Sequence, residues 1–101
     1  LRRAGYKILD RNVVLGRNEV DIVAQEDDTI VFVEVRTRGA QDDTPPEDSI
    51  SFEKQKRLRR AADHYIARQG ARDTYYRFDA VAVVIPPKGK PQLKVYRDAF
   101  H

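Results

Sequence analysis

Cysteine is absent from this chain, which excludes disulfides, thiolate nucleophiles and cysteine-based zinc sites and is compatible with a reducing compartment. Long hydrophobic runs are also absent. No stretch approaches the roughly 18 apolar residues of a membrane span, and no hydrophobic signal segment opens the sequence, so a soluble, cytoplasmic protein without membrane contact is expected. The two histidines, His64 and His101, have no ligand-like spacing and no Ser or Cys nucleophile motif beside them, so neither a triad nor a histidine metal site is expected. Glycine-rich phosphate loops, internal repeats and low-complexity tracts are missing as well. What remains is one domain over residues 1–101, long enough for a single core without staples.

Charge is present in abundance. Nineteen Lys and Arg against 16 Asp and Glu leave a net +3, a value less informative than its distribution. Acids gather at residues 19–28, 34 and 42–53, and bases from Lys54 to Arg60. The asymmetry suits a phosphate-bearing partner held near a metal, and a solvated helix face gives the same count.

The chemistry starts in the run from Glu19 to Arg38, two β-rich segments around a short acidic turn, which reads as a hairpin. Strand side chains alternate, so Glu19, Asp21, Val23 and Gln25 share one face and Val20, Ile22 and Ala24 the other. Ile30, Phe32, Glu34 and Arg36 share a face of the second segment. With Asp27 and Asp28 at the tip, Asp21 falls across from Glu34 and Glu19 across from Arg36. Directly opposed Cβ atoms lie about 4.5–5.5 Å apart, and like charges placed so are destabilising. A hard divalent cation such as Mg²⁺ or Mn²⁺ makes the pair sensible; a solvated acidic face is the alternative.

Elsewhere the pattern is plainer. Leu1 to Gly5 reads as the last turn of a helix closed by glycine. Tyr6 to Val14 reads as a first strand with imperfect alternation, which predicts a bulge or an edge. Residues 39–48 form a polar, proline-bearing loop. Ser49 or Ser51 can cap a helix with the stripe Leu58, Ala61, Ala62, Tyr65 and Ile66, ending near Gly70. On that helix Lys54 and Gln55 lean toward the sheet, whereas Lys56, Arg59 and Arg60 point away. Lys54 is a candidate phosphate or carboxylate partner, or it lies over apolar surface. Ala80 to Ile85 is apolar on both faces, as a central strand is, and Gln92 to Tyr96 pairs back on it in a hairpin. Asp79 stands beside the active hairpin or salt-bridges near Arg77. The tail from Arg97 carries no signal.

The acid Asp21 followed by Glu34-Val35-Arg36 resembles the signature of the PD-(D/E)XK nuclease superfamily, the restriction-endonuclease-like fold. The wider stretches Asn18-Glu-Val-Asp-Ile-Val23, Phe32-Val-Glu-Val-Arg-Thr-Arg38 and Arg77-Phe-Asp-Ala-Val-Ala82 are similar, in that order, to the YraN-like uncharacterised bacterial protein family (uncharacterised protein family 0102). That family belongs to the superfamily and resembles archaeal Holliday junction resolvases. The resemblance covers nearly the whole chain. It implies an α/β, restriction-endonuclease-like core: a mixed sheet of about five strands built as an antiparallel meander, a helix, a central strand and a C-terminal hairpin, with a truncated N-terminal helix.

The resemblance further implies an Mg²⁺- or Mn²⁺-dependent nuclease that hydrolyses DNA, structure-specific in the manner of resolvases. Asp21, Glu34 and the backbone carbonyl of Val35 are then the metal ligands, with Glu19 as an additional candidate. The superfamily's third member is a lysine, and this chain has Arg36 in its place. Arginine cannot act as a base, though it can clamp phosphate. Arg36 therefore stabilises charge, or pairs with Glu19 across the strands, or leaves the ammonium role to Lys54. Lys54, Gln55, Arg57 and Arg38 are the candidate nucleic-acid contacts. The alternative function is a nucleic-acid-binding or interaction module whose catalysis has decayed. A homodimer suits cleavage of two strands, and nothing in the sequence marks one.

Overall fold

The computed structural model describes residues 5–39, 50–70 and 75–100. Strands β1 (Lys7–Leu15), β2 (Asn18–Glu26) and β3 (Thr29–Gly39) lead to a helix, α1 (Phe52–Arg68), followed by β4 (Tyr75–Ile85) and β5 (Gln92–Phe100). The strands form one sheet in the order β1-β2-β3-β4-β5. Every neighbouring pair is antiparallel except β3 and β4, which run parallel. This is the α/β fold with a five-stranded mixed sheet that the sequence leads one to expect.

Local chemistry accounts for the elements. Gly16 at φ 66° and Asp27 at φ 54° supply the positive φ that two-residue hairpin loops require. With Asp27 and Asp28 at the tip, Gln25 pairs with Ile30, Val23 with Phe32 and Ile22 with Val33, the register read from the sequence. A parallel pair needs a crossover, and α1 lies between β3 and β4. Of the two serines, Ser51 is the cap, its hydroxyl accepting the Lys54 N–H at 3.1 Å. Leu58, Ala61, Ala62 and Tyr65 of α1 are buried against Val13, Leu15, Val20, Val23 and Phe32. Tyr6, Ala24, Val31, Val33 and Val81 form a second core on the other face. Each fully buried aliphatic or aromatic side chain contributes roughly 1.5–3 kcal/mol, so both faces hold the sheet.

Two features depart from the sequence pattern, and a third follows it. The middle place in the sheet belongs to β3, while β4 is interior and flanked by β3 and β5. The Arg97–Phe100 tail is strand: Phe100 stacks on Phe78 with ring centroids 4.8 Å apart, a tertiary partner that no local pattern displays. Third, β1 is an edge strand with a register shift between Ile8 and Asp10, and the bulge expected there is seen. The helix end expected over Leu1 to Gly5 and the loop over 39–48 lie outside the described residues, apart from Gly5 at φ 95° and Gly39 at the end of β3. Among the described residues no helix is long and apolar enough to cross a membrane.

The face away from α1 carries a polar cluster. Asp79, fully buried, accepts hydrogen bonds from Tyr6 Oη, from Arg77 Nε at 2.9 Å and Nη2 at 3.1 Å, and from the Asp98 N–H at 2.8 Å. Arg77 also reaches Glu26 at 2.8 Å, which Arg97 meets at 3.0 Å. Asp79 is therefore the structural ion-pair partner of Arg77, and burial helps push the Tyr6 hydroxyl up to about 12.

Hydrogen bonds from Arg97 and Arg77 hold the Glu26 carboxyl below its ordinary value of 4.5. A depressed folded-state value contributes stability above the unfolded value, and that contribution disappears as pH falls through the folded one. E26Q is expected to lose about 1 kcal/mol at neutral pH, read as a shift of the urea midpoint, with the gap from wild type closing as pH falls below the ordinary carboxylate range. A gap of the same size at both ends of the titration would contradict this assignment.

Candidate active site

The β2–β3 ladder ends at Ile22 and Val33. One residue earlier on β2, the Asp21 side chain takes over the role of a backbone partner: its Oδ2 accepts the Val35 N–H at 3.0 Å. Opposite on β1, Asn12 stands at φ 50°, and the β1–β2 pairing passes from Arg11–Ile22 to Val13–Val20 without an Asn12–Asp21 rung. The alternation of β2 breaks there. Val20 and Val23 both join the core under α1, while Ile22 and Ala24 join the other, so Val20 does not keep the face that strict alternation assigns to it. Asp21 is at the break, turned toward β3.

The paired register stops short of the Asp21–Glu34 rung read from the sequence, and Asp21 instead reaches β3 through its side chain, where its charge acts on Glu34. Glu34 is 8% exposed, on the face covered by α1, and Lys54 Nζ in the first turn of α1 is 3.7 Å from its Oε1. Burial first, and then the neighbouring Asp21 charge, push the Glu34 carboxyl above its ordinary range; Lys54 and Arg36 pull the other way. The Asp21 carboxylate is thus close enough to act on Glu34. A proton or a cation between the two groups relieves the cost of this contact.

The residues present fit a hard divalent ion. In a strand the N–H and C=O of one residue project to the same side. The Val35 carbonyl therefore faces β2 as its N–H does, adding an oxygen beside the two carboxylates. No group of three or more His, Cys, Asp or Glu suited to a metal occurs among the described residues. Two carboxylates and a carbonyl, completed by water and phosphate oxygens, are a usual set for Mg²⁺. The position, on the C-terminal half of a strand in a parallel pair, is also where open α/β sheets place ligands.

The remaining candidates divide. Arg36, half-buried, has an Nε that is buried without a hydrogen-bond partner, a donor directed into the protein near Glu34. Glu19 is exposed and pairs with Val14 of β1. It therefore stands neither across from Arg36 nor with the carboxylate pair, because β2 has already parted from β3. Lys54 joins the site as a carboxylate partner. Gln55 is engaged locally, donating to the Ile50 carbonyl at 3.0 Å. Arg38 is buried with its guanidinium 5.9 Å from the Tyr96 ring centre, and Arg57 is exposed on α1. Arg59 does not point away as expected: it is half-buried, 5.8 Å from the centre of the Phe100 ring. A long arginine stem can curl over neighbouring apolar surface, and that surface belongs to the strand end which local sequence does not reveal.

Fold and site together define a small α/β domain with a carboxylate pair, a lysine and an arginine at the parting of two strands. The model of the uncharacterised protein family UPF0102 matches residues 1–83, and the chain belongs to that family, as the resemblance read from residues 18–38 and 77–82 leads one to expect. It is 41% identical over 101 residues to a UPF0102 protein of Caldicellulosiruptor saccharolyticus, covering 99% of this chain and 86% of that protein. Identity to a UPF0102 protein of Symbiobacterium thermophilum is 39% over 101 residues, 100% of this chain and 86% of that one. A UPF0102 protein of an Anaeromyxobacter species is 41% identical over 100 residues, 99% of this chain and 74% of its own. The nuclease superfamily to which the family is likened is compatible with this sheet.

Because the folded protein holds the Glu34 proton more tightly than the unfolded chain does, the penalty is absent at acid pH and grows as pH rises past the ordinary carboxylate range. In the presence of a chelator, E34Q is therefore expected to melt above wild type at neutral pH, by a few degrees, its amide donating to Asp21. The advantage should vanish at about pH 4. Adding millimolar Mg²⁺ should raise the melting point of wild type and leave that of E34Q in place. An E34Q variant less stable than wild type at neutral pH would count against the repulsion.

Proposed function

We propose that this protein is an Mg²⁺- or Mn²⁺-dependent nuclease that hydrolyses DNA phosphodiester bonds at Asp21 and Glu34. The observation that carries the reading is the contact between those two carboxyls, one of them buried, at the point where the sheet opens. A sequence selected for stability alone would not keep like charges there. Asp21, Glu34 and the Val35 carbonyl are the groups to hold the ion. When bound, such an ion polarises a phosphodiester and lowers the pKa of water toward neutrality.

The other residues supply position and charge. Arg36 is permanently protonated and cannot accept a proton, but its unpartnered Nε and the rest of the guanidinium can donate to phosphate oxygens and offset charge that develops on them. It stands on β3, fixed by pairing with β4 on its other side, where Arg36 faces Ala82. Lys54, 35% exposed at its side chain, rests on Glu34 and is long enough to turn to a phosphate. The N-terminus of α1 adds a positive dipole end beside it. Without the cation the two carboxylates repel a phosphate, so binding of ion and DNA should reinforce each other.

Arginine in the lysine position favours a second reading, a nucleic-acid-binding module on a nuclease fold that no longer turns over. One panel separates the two: linear, single-stranded and four-way DNA, each with Mg²⁺ and with Mn²⁺. Wild type is expected to cleave at least one form, D21A to lose at least about 100-fold while keeping its fold, and R36A about 10²- to 10³-fold. A wild type inert on every substrate with both metals, yet bound to DNA in a salt-dependent way, would overturn the nuclease and leave the module.

A further inference from the structure

Where the strands part, a recess of about 430 Å³ is lined by Arg11, Asn12, Asp21, Ile22 and Val35. Ile22 and Val35 pack against the core on the face away from α1, so its floor is apolar. Arg11 pairs with Ile22, and directly opposed side chains of an antiparallel pair share a face. The exposed Arg11 side chain therefore rises beside that floor. Asn12, also exposed, follows it at φ 50°, a backbone that asparagine tolerates better than most residues. No Asn12–Asp21 rung closes the gap, and the Asp21 carboxylate instead accepts the Val35 N–H at 3.0 Å. The recess and the Asp21 geometry thus share one break in the sheet.

We propose that this recess is a phosphate subsite, in which the Arg11 guanidinium and the Asn12 amide hold the phosphodiester next to the one at Asp21 and Glu34. The proposal rests on the nuclease reading and adds to it a second contact on the same DNA strand. Among the described residues Arg11 forms no ion pair, with Asp21 or with any other acid. Its planar fork suits a phosphate, to which it can donate two parallel hydrogen bonds. Lys54 and Arg36 act on Glu34 from the side of α1, so Arg11 supplies positive charge on the side they do not serve. A cation would meet repulsion from the guanidinium, and an apolar ligand would leave it unused. The volume lies within the roughly 300–1,000 Å³ of small-molecule sites, more than a lone phosphate fills, and the sugar that a strand brings can cover Ile22 and Val35. Continuity favours that strand: Asp21 and Val35 line the recess and also belong to the candidate cation site.

The test is binding of a labelled single-stranded oligonucleotide by fluorescence anisotropy, in chelator so that nothing is cut, over a series of salt concentrations. R11Q is expected to bind about 10-fold more weakly than wild type at low salt, with a slope of log K against log salt shallower by about 0.7, one phosphate contact fewer. R11K should recover most of that slope. K7Q removes the same charge from an exposed position elsewhere on β1 and should leave the slope in place. N12G keeps the left-handed backbone without the amide and should weaken binding about 3-fold. An R11Q that matches wild type, or a K7Q that loses as much as R11Q, overturns the subsite. A wild type whose binding does not respond to salt overturns it whatever the variants do, which covers an R11Q that fails to fold. Inorganic phosphate should not displace the oligonucleotide at equal phosphate concentration; displacement that R11Q abolishes would make the recess a free-phosphate site and overturn the DNA assignment. Weakened binding by R11Q in a protein that cleaves no DNA keeps the subsite and removes the nuclease; DNA cleavage with an unchanged KM in R11Q does the reverse.

Discussion

The hydrogen bond from the Val35 amide to the Asp21 carboxylate is the constraint on which the rest of the site depends. A backbone N–H at that position would ordinarily meet a carbonyl of β2 and close another rung. With a side chain in that place, the ladder stops at Ile22–Val33 and the strands part. The opposite edge of β3 stays in step with β4 as far as Gly39–Ile85. One strand is thus rigid on one side and open on the other, an arrangement that holds functional groups steady while leaving room for a ligand.

Two clusters of acids in this small sheet show what separates a structural charge from a functional one. Asp79 is the more deeply buried, yet its oxygens receive a tyrosine hydroxyl, two guanidinium donors and a backbone amide. Nothing is left for a ligand, and burying it is tolerable because every lone pair is answered. At Glu34 the balance is incomplete: a buried carboxyl faces another carboxyl, with an ammonium at 3.7 Å and a guanidinium whose Nε has no partner. Proteins satisfy buried polar groups when they can. The formal charges of Asp21, Glu34, Lys54 and Arg36 cancel, yet the two carboxyls still face each other and one donor stays idle, so the cluster is balanced in sum and not pair by pair.

What could be read from the sequence follows physical range. The Asp27–Asp28 tip set the β2–β3 register, and the Leu58, Ala61, Ala62, Tyr65 stripe with Ser51 set α1, because both are governed by neighbours a few residues away. The approach of Asp21 to Glu34 followed from that register. The switch of Val20 to the opposite face did not, since it depends on Asn12 of another strand taking a positive φ. The β5 end and the placement of Arg59 escaped notice for the same reason: both rest on Phe100 meeting Phe78 across about 20 residues of chain. Period-2 alternation sets Glu19 across from Arg36 only where β2 and β3 stay paired, and their ladder ends at Ile22–Val33.

An arginine at position 36, where the resembled signature has a lysine, changes the electrostatics more than the architecture. A lysine can lose its proton when buried beside other cations, and so can serve in proton transfer; a guanidinium cannot. With Arg36 fixed in charge, burial and the Asp21 charge hold the Glu34 carboxyl above its ordinary range. On the proposed reading, a cation would displace the proton that burial and Asp21 help to retain there. On that reading the pair would pass between holding a proton and holding a cation, while Arg36 keeps its positive charge in either state.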